Sequence, residues 1–383
     1  MKTGVMVLLA MLMVFAVLFG CAEETVQPMA PESTSPGEVT ADFVPENTTV
    51  DEPNFERISI VCAIFPQYDW VREIAGDRIN RFELSLLMDN LVDLHNYQPS
   101  FSDIVLIAEC DIFVHVGGHS DEWVEDVLRQ ATNPDMIVIN MLEILGDDVK
   151  MSQILEGMQT DCEEDECEDD SHDHDHGHSH GHSHDHSHDH DDDDDDDDEH
   201  DHDHEHEDEH VWLSLRLAKV LCTVLTDVLS EVDPAFVEEY RSNLAAYIDE
   251  LDALDSDFRA IVEASSVDTL VFADRFPFRY FVDDYGLHYY AAFSGCSAET
   301  EASFSTIVFL ASKIDELGFR SIMVTESADQ SIAETVIDNT QSGGQRILVL
   351  NAMQSVVRSE IDEGITYLSI MKDNLSVLRE ALI

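Results

Sequence analysis

Short runs of β-branched and apolar residues alternate with helix-like stretches through most of this 383-residue chain. In the first half, these runs lie at 58–65, 82–88, 111–116 and 136–140. In the second half, they lie at 269–273, 289–293, 321–325 and 347–350. Strands that alternate with helices form parallel sheets with helices packed on their faces. The pattern therefore predicts an α/β protein with two lobes, each containing a parallel sheet flanked by helices.

A long amphipathic helix is predicted between the two halves, beginning near Pro234. Its large residues recur every three or four positions, at Phe236, Tyr240, Leu244, Tyr247, Leu251, Leu254, Phe258 and Ile261. About thirty residues of helix extend roughly 45 Å, which is long enough to pass along both lobes. We expect one rigid spine helix over 235–264, joining an N-terminal lobe (57–234) to a C-terminal lobe (265–383). A long crossover helix inside one domain fits the same pattern.

The first 56 residues differ in character from the rest. An uncharged apolar run follows Lys2 and ends at Leu18-Phe19-Gly20-Cys21. This arrangement is typical of a signal peptide (1–21) whose Cys21 is lipidated, and an uncleaved anchor is the alternative. Residues 22–56 are rich in Pro, Glu, Ser and Thr, which predicts a disordered tether. Either way we expect the bulk of the chain outside the cytoplasm, held to the outer face of the membrane by its anchor or free in a periplasm.

Acidic residues dominate the composition. There are 82 Asp and Glu against 19 Lys and Arg, which gives a net charge of −63. Such a charge repels nucleic-acid phosphates, so nucleic-acid binding is excluded. The acidic surface indicates either a general affinity for cations or adaptation to high salt.

A histidine- and aspartate-rich segment spans 161–209. Fifteen of the 19 histidines lie between 171 and 210, mostly at every second position. With no apolar face to bury, the segment predicts a disordered loop whose imidazoles suit zinc, nickel or copper. The candidate loop ligands are His172, His174, His176, His178, His180, His182, His184, His186, His188, His190, His200, His202, His204 and His206. A solvated acidic spacer that binds metal incidentally is the alternative reading.

Two cysteines, Cys162 and Cys167, lie at the start of this segment. They either add soft metal ligands or form a disulfide in an oxidising compartment.

His95 is the best-placed histidine outside the loop. It lies between a predicted strand and a predicted helix, within Val92-Asp93-Leu94-His95-Asn96-Tyr97-Gln98-Pro99. The carboxyl ends of the strands in an α/β sheet are where ligands bind. His95 is therefore a candidate ligand, and an ordinary packed histidine is the alternative.

A series of motifs over 57–383 resembles the zinc- and manganese-specific solute-binding proteins of ABC-type uptake systems. The motifs are Phe65-Pro66-Gln67-Tyr68-Asp69-Trp70, the His95 segment, Val116-Gly117-Gly118, His210-Val211-Trp212-Leu213-Ser214, Tyr285-Gly286-Leu287 and Tyr367-Leu368-Ser369-Ile370-Met371. The resemblance implies that His95 and His210 are the first two metal ligands. A histidine-rich loop just before the second ligand is a feature of many zinc-specific members.

The chain departs from this family at the third and fourth ligands. The third, usually histidine or glutamate, falls in 271–278, where Asp274 is the nearest residue able to ligate. The fourth, usually acidic, falls near Gln354 and Ser355.

We therefore expect a site of His95, His210 and Asp274, completed by water or by a carboxylate such as Glu301 or Glu326. The alternative is that Asp274 forms an ion pair with Arg275 or Arg279.

The resemblance implies a monomeric receptor rather than an enzyme. It would capture Zn²⁺ between its lobes and deliver the ion to an ABC permease driven by a cytoplasmic ATPase, with the loop as metal collector. Mn²⁺ or Ni²⁺ is an alternative cargo, because carboxylate and water suit harder metals. A surface protein for metal buffering or cell adhesion is a further alternative. A zinc hydrolase is disfavoured, because the sequence contains neither H-E-x-x-H nor G-x-S-x-G.

Overall fold

The computed structural model describes residues 57–159, 206–297 and 301–383. The predicted signal peptide, Cys21 and the tether lie outside these residues. So do all of the candidate loop ligands except His206.

Eight strands in the described part of the chain form two four-stranded sheets in which every neighbouring pair is parallel. The first sheet has the order β2-β1-β3-β4 and the second has the order β6-β5-β7-β8. The strands are β1 (Ile58–Cys62), β2 (Phe82–Leu86), β3 (Ile112–His115), β4 (Ile137–Asn140), β5 (Thr269–Phe276), β6 (His288–Ser294), β7 (Ser321–Val324) and β8 (Arg346–Val349). Each strand coincides with a predicted apolar run, so the α/β prediction of two sheets is confirmed.

Helices follow most of these strands and cover the sheets. They are α1 (Phe65–Ala75), α2 (Phe101–Glu109), α3 (Trp123–Leu128), α4 (Met141–Leu145), α5 (Leu215–Val232), α6 (Val237–Ala264), α7 (Arg279–Tyr285), α8 (Phe304–Leu317), α9 (Ser331–Asp338), α10 (Arg358–Asp362) and α11 (Tyr367–Ala381). Hydroxyl side chains satisfy free backbone N–H groups at several helix starts. Ser214, for example, accepts from Leu217 N at 3.1 Å and so begins α5.

The predicted spine helix is α6, which has 28 residues and follows a short turn at Pro234–Phe236. It packs against α1 and α5 from the first half and against α7 and α11 from the second. The apolar stripe faces this interface, where five of its members are buried, namely Tyr240, Tyr247, Leu251, Leu254 and Phe258. The expectation of one helix running along both lobes is thereby confirmed.

The carboxyl ends of the strands supply the polar residues of the candidate site. His95 follows β2, and the segment after β3 carries Ser120. From the second sheet, Cys296 follows β6 and Gln354 follows β8. Among the residues that the structure describes, no helix has the length and apolar character that a membrane crossing requires.

Candidate metal centre

His95 lies in a short helical turn, Leu94–Asn96, which follows β2 and a connecting loop. Oδ1 of Asp93 accepts a hydrogen bond from His95 N at 3.0 Å, which fixes this turn. On the ring, Nδ1 lies 2.7 Å from Oγ of Ser120 and 3.4 Å from Oε2 of Glu209. Because Oγ of Ser120 engages Nδ1, the other ring nitrogen, Nε2, is the one that faces His210.

His210 is completely buried. Its backbone N and its Nδ1 both donate to Oδ1 of Asp208, at 3.0 and 2.9 Å. A carboxylate only accepts, so the proton lies on Nδ1 and the lone pair lies on Nε2. A carboxylate that orients a histidine in this way is the usual support of a metal-ligating imidazole.

The two histidines meet through their outer nitrogens. Nε2 of His95 lies 3.1 Å from Nε2 of His210, and the rings meet edge to face with centroids 5.1 Å apart. Burial and the neighbouring His210 lower the pKa of His95 well below its usual range. A neutral imidazole is the form that ligates a metal. The two Nε2 atoms are therefore close enough to bind the same cation.

A second carboxylate, Glu209, lies behind this pair. Its Oε1 accepts from Ser120 N at 2.7 Å, while its buried Oε2 has no hydrogen-bond partner and lies near His95. Burial raises the pKa of Glu209. A cation at the histidine pair would offset the cost of burying this carboxylate.

Asp274, the predicted third ligand, uses its carboxylate oxygens for other contacts. Its Oδ1 accepts from Arg275 N at 2.8 Å, and its Oδ2 accepts from both the backbone N (2.9 Å) and the hydroxyl of Thr325. The structure does not bring Asp274 into the cluster around His95 and His210. The alternative ion pairs with Arg275 and Arg279 are not formed either, since those guanidinium groups lie beside Asp93 and Asp283.

The two additional carboxylates are not brought to the histidines either. Glu301 is exposed, and it does not join the cluster. Glu326 accepts backbone hydrogen bonds from Ala352 at 2.7 Å and from Gln354 at 2.8 Å. It therefore shapes the loop after β8, although burial raises the pKa of its carboxyl group.

Gln354 is the residue that this loop brings to the site. Its Nε2 lies 3.1 Å from Nε2 of His210 and donates to the lone pair there. The loop is also anchored by Trp212, whose Nε1 donates to Ala352 O at 2.9 Å. An amide thus lies where an acidic ligand is expected from the family resemblance.

Sequence reasoning missed Cys296 as a member of the site. One ligand atom from each of His95, His210 and Cys296 lies within 4.8 Å of the other two. Cys296 is a free, half-buried cysteine. The available signal was its position, three residues after the predicted strand 289–293, which is the kind of position that singled out His95.

The described end of the histidine-rich segment, residues 206–209, lies beside this site. Ser152 N donates to His206 O, and Asp208 N donates to Lys150 O, each at 2.7 Å. The ring of His206 stacks on that of His119, with centroids 5.0 Å apart. The segment therefore re-enters the described fold four residues before His210.

Two parallel sheets joined by one long helix, with polar groups gathered at the carboxyl ends of the strands, define the class of solute-binding proteins that serve ABC-type metal uptake. The chain belongs to the family described as zinc-uptake complex component A, periplasmic (ZnuA), whose model matches residues 60–381.

Curated relatives are similar in sequence, and a solved structure shares the fold. The chain is 26% identical over 329 residues to the zinc-binding protein AdcA of Streptococcus pyogenes, covering 84% of this chain and 56% of that protein. It is 25% identical over 328 residues to the high-affinity zinc uptake system protein ZnuA of Bacillus subtilis, covering 86% and 88%. Its fold matches the Zn(II)-bound ZnuA-like domain of Streptococcus pneumoniae AdcA with a TM-score of 0.60 at 24% identity, over 85% and 99% of the two chains. The chain spans little more than half the length of the AdcA relatives.

Proposed function

We propose that this protein is the extracytoplasmic receptor of an ABC importer and that it binds Zn²⁺ at His95 and His210. The observation that carries the proposal is the 3.1 Å approach of their Nε2 atoms. Each Nδ1 is engaged by an oxygen, from Ser120 for His95 and from Asp208 for His210. Zinc is bound by neutral imidazoles held in one tautomer by such partners.

The groups around the histidines come from both halves of the chain. Asp93, Asp208 and Glu209 approach from the N-terminal half, whereas Gln354 and Arg275 approach from the C-terminal half. An ion at this position would contact both halves, so occupancy would alter how the lobes close. A change of this kind is what a permease with a cytoplasmic ATPase would detect in its receptor.

The proposal includes a role for the histidine-rich segment as a metal collector. It is supported by the anchoring of His206 to Ser152 and by the short interval between His206 and His210. Many weak ligands tethered close to the site would raise the local metal concentration there.

Zinc titration with a competing chelator tests the site. The full-length chain is compared with His95→Ala/His210→Ala and with His288→Ala, in which an exposed histidine outside the site is removed. The double variant is expected to lose one tight equivalent, while the weaker equivalents of the loop remain. An unchanged number of tight equivalents in the double variant overturns the proposal.

Deletion of residues 161–205 tests the collecting role. Asp208 and Glu209 are retained because they support the two histidines. Uptake at limiting zinc is expected to fall, while the affinity of the tight site stays within about threefold of the intact protein. Unchanged uptake contradicts the collecting role without affecting the receptor itself.

A further inference from the structure

The side chains that converge on the histidine pair include a thiol. The inference drawn from it rests on the proposed function, because it concerns the ligand set of the same site. His95 and His210 come from the N-terminal half of the chain, whereas Cys296 comes from the turn after β6. The three candidate ligand atoms lie within 4.8 Å of one another.

The backbone before Cys296 packs closely against His210. A Cβ atom at Gly295 would lie 3.0 Å from Cε1 of His210 and 2.8 Å from Phe276 O. Only glycine permits this approach. The turn is therefore pressed against the imidazole ring, and this places the next residue, Cys296, beside it.

The surroundings of the thiol are acidic. Burial raises the pKa of the Cys296 thiol, and the nearby Asp208, Glu209 and Asp93 raise it further, so a free thiolate is disfavoured there. The buried Oε2 of Glu209 has no hydrogen-bond partner. A cation shared by the thiolate and the histidines would offset both of these unfavourable charges.

The other polar groups nearby are already engaged. Both oxygens of Asp274 accept hydrogen bonds from the Arg275 backbone and Thr325, and both oxygens of Glu326 accept from the loop after β8. Gln354 presents an amide N–H₂ to His210. Among the described residues, Cys296 is the side chain that joins the two histidines in a metal-ligand cluster.

We propose that Cys296 is the third protein ligand and binds the metal as a thiolate. On binding, the S–H bond breaks, the proton leaves to solvent, and the sulfur donates its electron pair to the metal. A set of two imidazoles and one thiolate favours borderline and soft ions such as Zn²⁺, Co²⁺ and Cd²⁺ and disfavours Mn²⁺. The sulfur ligand, rather than a carboxylate, would therefore determine which metal ions the site prefers.

Cobalt(II) reports thiolate ligation directly, because sulfur bound to cobalt gives a charge-transfer band in the near ultraviolet. The experiment uses the full chain with Cys21, Cys162 and Cys167 replaced by serine, so that cysteines outside the described residues cannot contribute. One equivalent of Co²⁺ is added to this background, to its Cys296→Ala variant and to a Cys222→Ala control. Cys222 is a buried thiol on α5 that does not join the cluster of His95, His210 and Cys296.

The band is expected in the background and in the control, and it is expected to be absent in Cys296→Ala. A Cys296→Asp variant, checked by circular dichroism for native folding, should bind metal without the band. Its preference for Zn²⁺ over Mn²⁺ should fall about tenfold or more.

Two results would overturn the inference. One is a band that persists in Cys296→Ala. The other is the absence of any band in the background while tight binding still depends on His95 and His210, which leaves the proposed function standing. Tight binding that is indifferent to both histidines and lacks the band removes the proposed function and the inference together.

Discussion

Nη2 of Arg275 lies 3.0 Å from Oδ2 of Asp93, so a guanidinium group from β5 is paired with the residue that fixes the His95 turn. Burial and His210 lower the pKa of His95, and the positive charge of Arg275 lowers it further. The charge of Arg275 would repel a metal cation at the histidine pair in the same way.

Replacement of Arg275 by methionine is therefore expected to tighten zinc binding. The change removes a repulsive charge and frees a carboxylate oxygen of Asp93, so we expect about a tenfold lower dissociation constant. Chelator competition measures the change. Arg279→Met removes a charge that is paired with Asp283 and should alter the constant less than about threefold. Equal effects of the two substitutions would show that only the overall charge matters.

Asp208 supports His210 through two hydrogen bonds to one oxygen. Asp208→Asn keeps the shape but weakens the orientation of the ring, so zinc affinity should fall about 10–100-fold. The exposed carboxylate of Asp148, which is paired with Arg216, provides the control variant Asp148→Asn. Calorimetry with a competing chelator measures the zinc affinity of the two variants. Retention of full affinity by Asp208→Asn would mean that the ring is positioned by its packing alone.

Gln354 donates to the nitrogen of His210 that a metal would use. Gln354→Glu removes the donor and places a carboxylate at the same point, so we expect zinc to bind at least about tenfold more tightly. Gln130→Glu adds the same charge at an exposed position on the opposite half of the sequence and serves as control. Equal gains in both variants would point to the added net charge instead of ligation.

Asp69 is a buried carboxyl group of α1 whose Oδ2 accepts from Tyr367 N at 2.7 Å. Burial raises its pKa to about 7. Between about pH 4 and pH 7 the folded protein retains a proton there that the unfolded chain has released, so this group's contribution to the free energy of unfolding falls as pH rises.

Asp69→Asn abolishes this titration. Relative to the parent protein, the variant should gain about 2–4 kcal/mol of unfolding free energy between pH 4.5 and pH 8. Chemical denaturation at the two pH values measures the gain. The control variant Asp77→Asn changes an exposed residue, and its unfolding free energy should differ from that of the parent by the same amount at both pH values. A pH-independent difference for Asp69→Asn would show that the carboxyl group is ionised throughout.

The fold could be predicted from the sequence because local hydrophobic patterns determine its strands and helices. Each strand is an apolar run of four to eight residues, and α6 carries an apolar stripe with helical spacing. His95 and His210 were accessible through motifs that surround them. Asp274 lies within the range 271–278 that was expected to hold the third ligand, but its carboxylate accepts hydrogen bonds from Thr325, which is distant in the chain. Cys296 lies near the histidines because segments distant in the chain come together in the fold, and no local sequence pattern predicts that contact.

The complete burial of His210 has a kinetic consequence. An ion bound to a nitrogen that no water can reach cannot exchange its ligands one at a time with solvent. Under the proposed function, departure would then wait for the halves of the protein to separate, and the opening rate rather than the bond strength would set the residence time of the ion. A receptor built in this way can bind its cargo firmly and still release it promptly when a docking surface pulls the halves apart.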